Sequence, residues 1–288
     1  MMGKVGFVTD STINMPPETI EKYGIKVTPI QVIFADKTYK EGVDLTAEEF
    51  YARLAQLKEA GEPMPTTSQP TPVDFVAAYQ ELIDEGVDEI ISIHVTAKSS
   101  GTCATAELAK DMVKGAPITV VDSGTTSMQM GYMLLEAIRV LEAGGSVEEA
   151  LAAIEEVKAH SCLFFTVTEL EHLRRSGRTF GAKEAIEAGV RVKPVVAVAD
   201  GVPQVVDKVR TQRAGLNRVV ELVKEKMANV KIKGLSIVHG NVLDKALAFQ
   251  AQVRDEFDYD GEIIVTDFGP ALAVHFGPGL LGLIAYGE

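Results

Sequence analysis

Apolar and polar positions alternate between two rhythms along this chain, and the rhythm changes near its middle. Val5 to Thr9 is a short apolar run of strand type, and Lys26 to Phe34 is a second, rich in Val and Ile. Thr46 to Ala60 has helical spacing, with Phe50, Leu54 and Leu57 on one face. Thr71-Pro72-Val73-Asp74 has the form of a helix start: an N-cap Thr, Pro in the first turn, an acid three residues after the cap. That helix carries Phe75, Ala78, Tyr79 and Leu82 inward and stops at Gly86. Glu89 to Val95 reads as a buried strand, Thr102 to Lys114 as a helix and Ile118 to Val121 as a strand. Helices at about 126–142 and 147–159 follow, separated by Gly144-Gly145. Strand–helix alternation of this kind predicts a parallel sheet covered by helices on both faces.

After residue 160 the pattern is mixed. Val192 to Ala199 and Val202 to Val209 flank Asp200-Gly201, the strongest local hairpin signal in the chain. A helix over about 212–228, the strand Gly234 to Val238, a helix reaching Phe257, and strands near 262–266 and 280–286 complete it. A hairpin inside an α/β pattern predicts a second domain with a mixed sheet. The expectation is therefore two α/β domains, 1–160 and 161–288.

Length and composition agree with a folded chain: 288 residues with 46% hydrophobic content bury a large core unaided. No run of 18 apolar residues spans a membrane, and the N-terminus shows no signal-peptide pattern. Cys103 and Cys162 are too few for a disulfide framework and lack metal-ligand spacing. Two thiols in a reducing cytoplasm are expected. A formal charge of −13 argues against nucleic-acid binding. The charge is uneven, however. Residues 174–218 carry a net +6, a basic island suited to a phosphate or an acidic partner surface.

Several enzyme signatures are missing: a GxSxG elbow, a Walker A loop, an HExxH helix, a CxxC pair. Gly277-Pro278-Gly279-Leu280-Leu281-Gly282 matches a dinucleotide fingerprint only formally, because too little chain follows it. Its glycines are expected to turn the backbone tightly and bring it close to a neighbour. Hydroxyl clusters recur instead at apparent strand-to-helix turns: Asp10-Ser11-Thr12, Thr66-Thr67-Ser68, Ser99-Ser100-Gly101-Thr102 and Asp122-Ser123. Each serves as an ordinary cap or, at the carboxyl edge of a parallel sheet, as part of an anion site. His275 stands in a Gly/Pro-rich stretch, and Arg178 and Arg210 are candidates for recognising carboxylate or phosphate. Met128, Met130 and Met133 fit either a lipid slot or plain core.

These landmarks in this order resemble the DegV family of bacterial lipid-binding proteins. The resemblance runs through Val8-Thr9-Asp10-Ser11-Thr12, Thr67-Ser68-Gln69-Pro70, Ser100-Gly101-Thr102, Val121-Asp122-Ser123, Gly177-Arg178, Lys208-Val209-Arg210, and His275 with Gly277-Pro278-Gly279. It implies a two-domain α/β protein with a ligand between the domains: one long-chain fatty acid and no cofactor or metal. Thr67 and Ser100 would hold the carboxylate with His275 close by, and Ser68, Ser99, Ser123 and Gly277 join them as candidate ligand-binding residues. Arg210, with Arg178, looks like the place where a partner fatty acid kinase works to make acyl phosphate. The binding chain then supplies no catalysis. Ser99, Cys103, Ser176 and Phe276 depart from the usual family residues, which bears on the shape of the pocket. Two other classes stay open on the residues alone: a hydrolase or acyltransferase using Ser100 or Ser123 with His275, and a sugar- or triose-kinase-like phosphotransferase subunit.

Overall fold

The computed structural model describes residues 3–35, 37–178 and 192–288. In chain order, β1 (Val5–Asp10) runs through a 3-10 turn (Ser11–Ile13) into α1 (Pro17–Lys22) and β2 (Lys26–Thr28). An excursion follows: β3 (Gln31–Ile33), β4 (Thr38–Lys40), α2 (Ala47–Ala60) and β5 (Thr66–Ser68). The chain then alternates through α3 (Pro72–Asp84), β6 (Glu89–His94), α4 (Thr102–Lys110), β7 (Ile118–Asp122), α5 (Met128–Glu142) and α6 (Val147–Ala159). Then come β8 (Ser161–Thr166), α7 (Leu170–Ser176), β9 (Lys193–Ala199), β10 (Val202–Val209) and α8 (Gln212–Lys226). The last elements are β11 (Ile232–His239), α9 (Leu243–Glu256), β12 (Ile263–Asp267), α10 (Gly269–Phe276) and β13 (Leu281–Gly287).

The described residues form three sheets. A four-stranded sheet of order β2-β1-β6-β7 is parallel throughout, and helices flank it. A six-stranded sheet of order β10-β9-β8-β13-β11-β12 is mixed, with β11 and β12 its one parallel pair. The third, β4-β3-β5, is small and antiparallel. The stretch Lys26 to Phe34 therefore belongs to two strands in two sheets. Pro29 divides it, because a residue without an N–H cannot extend the ladder from β2.

Local chemistry explains many of the boundaries. Thr46 with Glu49, Thr71 with Asp74, and Ser146 with Glu149 close capping boxes on α2, α3 and α6. Phe75, Tyr79 and Leu82 form the buried face of α3. Asp200 and Gly201 both take positive φ, 50° and 75°, as a two-residue hairpin turn requires.

One core joins the two larger sheets. The inner face of α5 (Met128, Met130, Met133, Leu134, Ala137) packs with Phe7, Ile91 and Ile93 from one sheet and with Leu163, Phe165, Val196 and Ile284 from the other. The three methionines are fully buried there, so they are core and not slot. Each such side chain contributes about 1.5–3 kcal/mol by leaving water. The excursion has its own small core of Val32, Phe34, Leu45, Phe50 and Leu54, closed by Ala273 of α10. That contact fixes α10 between the excursion and the six-stranded sheet, and α10 carries His275.

Candidate functional site

Beyond the carboxyl ends of β1 and β6, the central strands of the parallel sheet, lies a cavity of about 350 Å³. This is where open α/β sheets hold ligands. Thr12 follows β1, and Val95, Thr96, Ser99, Ser100 and Gly101 line it from the loop after β6. Thr67 and Ser68 come from β5, with Gln69 and Ile30 beside them; Ala271, Leu272, His275 and Phe276 come from α10; Thr126, Val198, Pro203 and Arg178 complete the wall.

Three polar side chains of this wall form one line of contacts. His275 Nε2 lies 2.8 Å from Thr67 Oγ1, and Arg178 Nη1 lies 3.5 Å from His275 Nδ1. Arg178 Nε also donates to the Ser99 carbonyl at 3.0 Å. Burial, with the charge of Arg178 and proximity to His172, pushes His275 down to about 3, so its ring is neutral at physiological pH. A guanidinium only donates, so Nδ1 is the acceptor and the proton sits on Nε2, directed at Thr67. The Thr67 hydroxyl hydrogen is then left to point into the cavity.

Ser100 belongs to the start of α4. Its Oγ accepts the Thr102 N–H at 3.3 Å and lies 2.8 Å from Thr102 Oγ1. Gly101, the N-cap, brings no capping side chain, so this helix end offers N–H groups to an anion. A Cβ on Gly101 would stand 3.2 Å from the Gln69 amide, so the Gln69 side chain closes tightly on this turn.

The sequence-derived candidates divide. Thr67, Ser68, Ser99, Ser100, Arg178 and His275 meet in this cavity. Ser123 does not. It follows β7, an edge strand, donates to the Thr125 carbonyl at 3.1 Å, and lines a different hollow of about 650 Å³. Gly277 lies just past α10 at φ 79°, where a Cβ would come within 2.8 Å of the His172 ring. Arg210 is exposed at the end of β10 and is not among the lining residues. Part of the basic island, residues 179–191, lies outside the described residues. Arg218, within the same island, is occupied by Asp207, Glu221 and Glu225.

Two corrections concern context. Thr66 to Ser68 form a strand of the small antiparallel sheet and not a strand-to-helix turn. His275 lies in the last turn of a helix, not in a loop. The signal was present: Pro270 in the first turn and Gly277 just past the end bracket α10.

The arrangement suits binding better than acyl transfer. Ser100 is paired with Thr102, and His275 is engaged by Thr67 and Arg178, so among the described residues Ser100 and His275 do not form a nucleophile–base pair. Sequence reading passed over a Ser–His–Asp relay elsewhere: Ser92 Oγ lies 2.6 Å from His94 Nε2, and His94 Nδ1 lies 3.2 Å from Asp10 Oδ2. All three are fully buried, and Tyr79 takes the other side of Ser92 at 2.9 Å. On the far side of Thr67, His275 and Arg178 lies a second hollow of about 700 Å³, lined also by Lys58, Glu169, His172 and Arg175.

Among the described residues no helix is long and apolar enough to cross a membrane, and no cluster of His, Cys, Asp or Glu has the form of a metal site. The family model described as "Uncharacterised protein, DegV family" matches residues 4–288. A DegV domain-containing protein of Halalkalibacterium halodurans is 32% identical over 287 residues, covering 100% of both chains. The structure of a fatty-acid-binding DegV family protein from Thermus thermophilus superposes with a TM-score of 0.90 at 30% identity, covering 99% of this chain and 100% of that one. A stearic-acid-binding protein of Eubacterium ventriosum superposes at 0.88 with 26% identity, covering 100% and 98%. Fatty acids are thus the ligands of both of these structurally similar proteins. The chain belongs to the DegV family.

Proposed function

We propose that this protein binds one long-chain fatty acid, with its carboxylate at Thr67, Ser100, His275 and Arg178 and its tail along the apolar wall. The observation that carries the reading is the mixed lining of one cavity. Hydroxyls, a guanidinium and the start of α4 share its wall with the apolar Ile30, Val95, Val198, Leu272 and Phe276. Each buried methylene contributes about 0.8 kcal/mol, so the tail supplies most of the affinity. The head group needs only a few directed hydrogen bonds. Arg178 gives local positive charge on a chain of −13, which explains how an acidic protein accepts an anion.

The tail then lies between a domain of residues 1–160 and one of 161–288, since lining residues come from both stretches. The carrier works in the cytoplasm, where its buried thiols Cys103 and Cys162 stay reduced. It presents the carboxylate to a partner kinase, which makes acyl phosphate. Two features support presentation: Thr67, His275 and Arg178 also border the second hollow, so the head group has an outward face, and Arg210 is exposed for a partner. Ser68 and Ser99 serve the head-group end, while Ser123 and Gly277 support the fold around it.

Native mass spectrometry followed by lipid extraction tests the binding. Purified protein should carry a fatty acid or gain one equivalent of palmitate; protein that does neither sinks the reading. Presentation is tested separately. With a fatty acid kinase and ATP, Arg210→Ala should bind palmitate normally and form acyl phosphate at least tenfold more slowly. Equal rates would remove Arg210 from the partner surface.

A further inference from the structure

Glu41 is a buried carboxylate that the fatty-acid site does not touch and yet helps to hold together. It follows β4 directly, is only 7% exposed, and reaches three elements at once. Its Oε2 takes the Ser11 hydroxyl, next in sequence to the lining residue Thr12. Ser11 Oγ in turn accepts the N–H of Ile30 at 3.0 Å, and the Glu41 N–H donates to the Ile30 carbonyl at 3.0 Å. Oε1 accepts the N–H of Ala271 in the first turn of α10 at 2.9 Å. Ile30 and Ala271 both line the slot. The carboxylate approaches α10 so closely that a Cβ on Gly269 would lie 2.7 Å from Oε1, and Gly269 has φ 71°.

The charged surroundings are one-sided. Asp10 of β1 and Asp267 of β12 both bear on Glu41 and disfavour its ionised form. Tyr51 of α2 meets Asp267 Oδ1 at 3.4 Å, and His239 of β11 meets Oδ2 at 3.3 Å, so both groups act on Asp267 before Glu41. His275, farther along α10, is neutral. Burial and the two carboxylates outweigh the hydrogen bonds from Ser11 and Ala271 and raise Glu41 to about 7. Near neutral pH its proton is therefore easily gained or lost.

We propose that Glu41 is a proton-linked positioning residue of the slot: filling the slot favours proton uptake from solvent on to Glu41, and fatty-acid affinity falls as pH rises through neutrality. The inference rests on the fatty-acid reading. An anionic ligand and the loss of water from the Ile30–Ala271 wall both penalise a second negative charge. The proton keeps the connections intact. The carboxyl O–H then donates to Ser11 Oγ, which still accepts from Ile30, while the other oxygen still accepts from Ala271.

Calorimetry of laurate binding tests this, since monomeric laurate is already ionised from pH 6 to 9. In phosphate and Tris at pH 7.2, the native protein should take up a fraction of a proton per laurate, and at pH 9 almost none. Affinity should fall by roughly threefold to tenfold between pH 6 and 8.5. Glu41→Gln should bind without proton uptake and with a flat profile, and Glu41→Asp should restore the slope. Uptake in Glu41→Gln equal to that of the native protein overturns the proposal. So does the absence of uptake by the native protein at pH 7.2, a result that needs no variant to fold. Failure to bind laurate at any pH is a different outcome and removes the fatty-acid reading itself.

Discussion

Two histidines in this protein sit beside hydroxyl groups and do opposite things with them. His94 joins Ser92 and Asp10 in the order that hydrolases use, while His275 joins Thr67 and Arg178, which no hydrolase needs. The polar side-chain atoms of Ser92, His94 and Asp10 all have partners inside the molecule, and the Phe75 ring packs edge-on against the imidazole at 5.0 Å. Nothing can reach Ser92, so the relay only ties β1 to β6. Around His275 the protons are arranged so that one hydroxyl hydrogen, that of Thr67, is left over and faces a cavity. The proposed function follows the unspent hydrogen and the open space, not the likeness to a triad.

The largest break in this comparison should come from Asp10→Ala. Asp10 accepts from the Thr12 N–H at 3.0 Å, from the Val95 N–H at 2.9 Å, and from the Thr12 hydroxyl, besides facing His94. Its removal leaves buried donors without acceptors, and unfolding free energy in urea should fall by about 3 kcal/mol or more. A loss under about 1 kcal/mol would mean that the His94 relay is not structural. Thr67→Ala and Ser100→Ala should show the reverse balance. Each should weaken palmitate binding by about 1–3 kcal/mol while altering urea stability by less than about 1 kcal/mol. Unchanged affinity in both variants would place the head group elsewhere.

The same contrast marks what can be seen in a sequence. Signals confined to a few residues were legible: the helix start at Thr71, the Asp200-Gly201 hairpin, the buried face Phe75–Tyr79–Leu82. Pro29 was equally local, and its missing N–H divides what apolar content alone presents as one strand. Contacts over long separations were not legible. Arg178 and His275 are 97 residues apart, and Thr67 and His275 are 208 apart. Only the order of motifs shared with the family brings them into one site. Ser123 shows the limit of reading clusters by type. Its turn looks like those after β1 and β6, but β7 is the edge strand, so the turn opens on a different hollow. Glu41, in Lys40-Glu41-Gly42-Val43-Asp44, has the composition of an exposed turn, and only the seating of α10 on the excursion buries it.

The finest test separates the two histidines by pH and bears only on His275. Its folded-state value of about 3 lies below the ordinary 6.5, because burial and the Arg178 guanidinium disfavour the charged ring. Above pH 6.5 neither folded nor unfolded chain protonates it, and it contributes nothing to the pH dependence of stability. Below 6.5 the unfolded chain takes a proton that the folded chain refuses until about pH 3, so stability is lost as pH falls through that window. Gln offers a neutral N–H to Thr67 and an oxygen to Arg178 and cannot take up that proton. His275→Gln should therefore bind palmitate within about 1 kcal/mol of the native protein at pH 7.5. It should also flatten the acid limb of a urea-stability profile between pH 6.5 and 4. Glu41 contributes a slope of opposite sign above pH 4.5, since a raised carboxyl costs stability as pH rises, but that slope is common to both proteins and cancels in their difference. A difference profile that stays level down to pH 4 would mean that His275 protonates freely in the folded state. Nδ1 would then not be the acceptor of the Arg178 N–H, and the proton assignment built on that contact would fail.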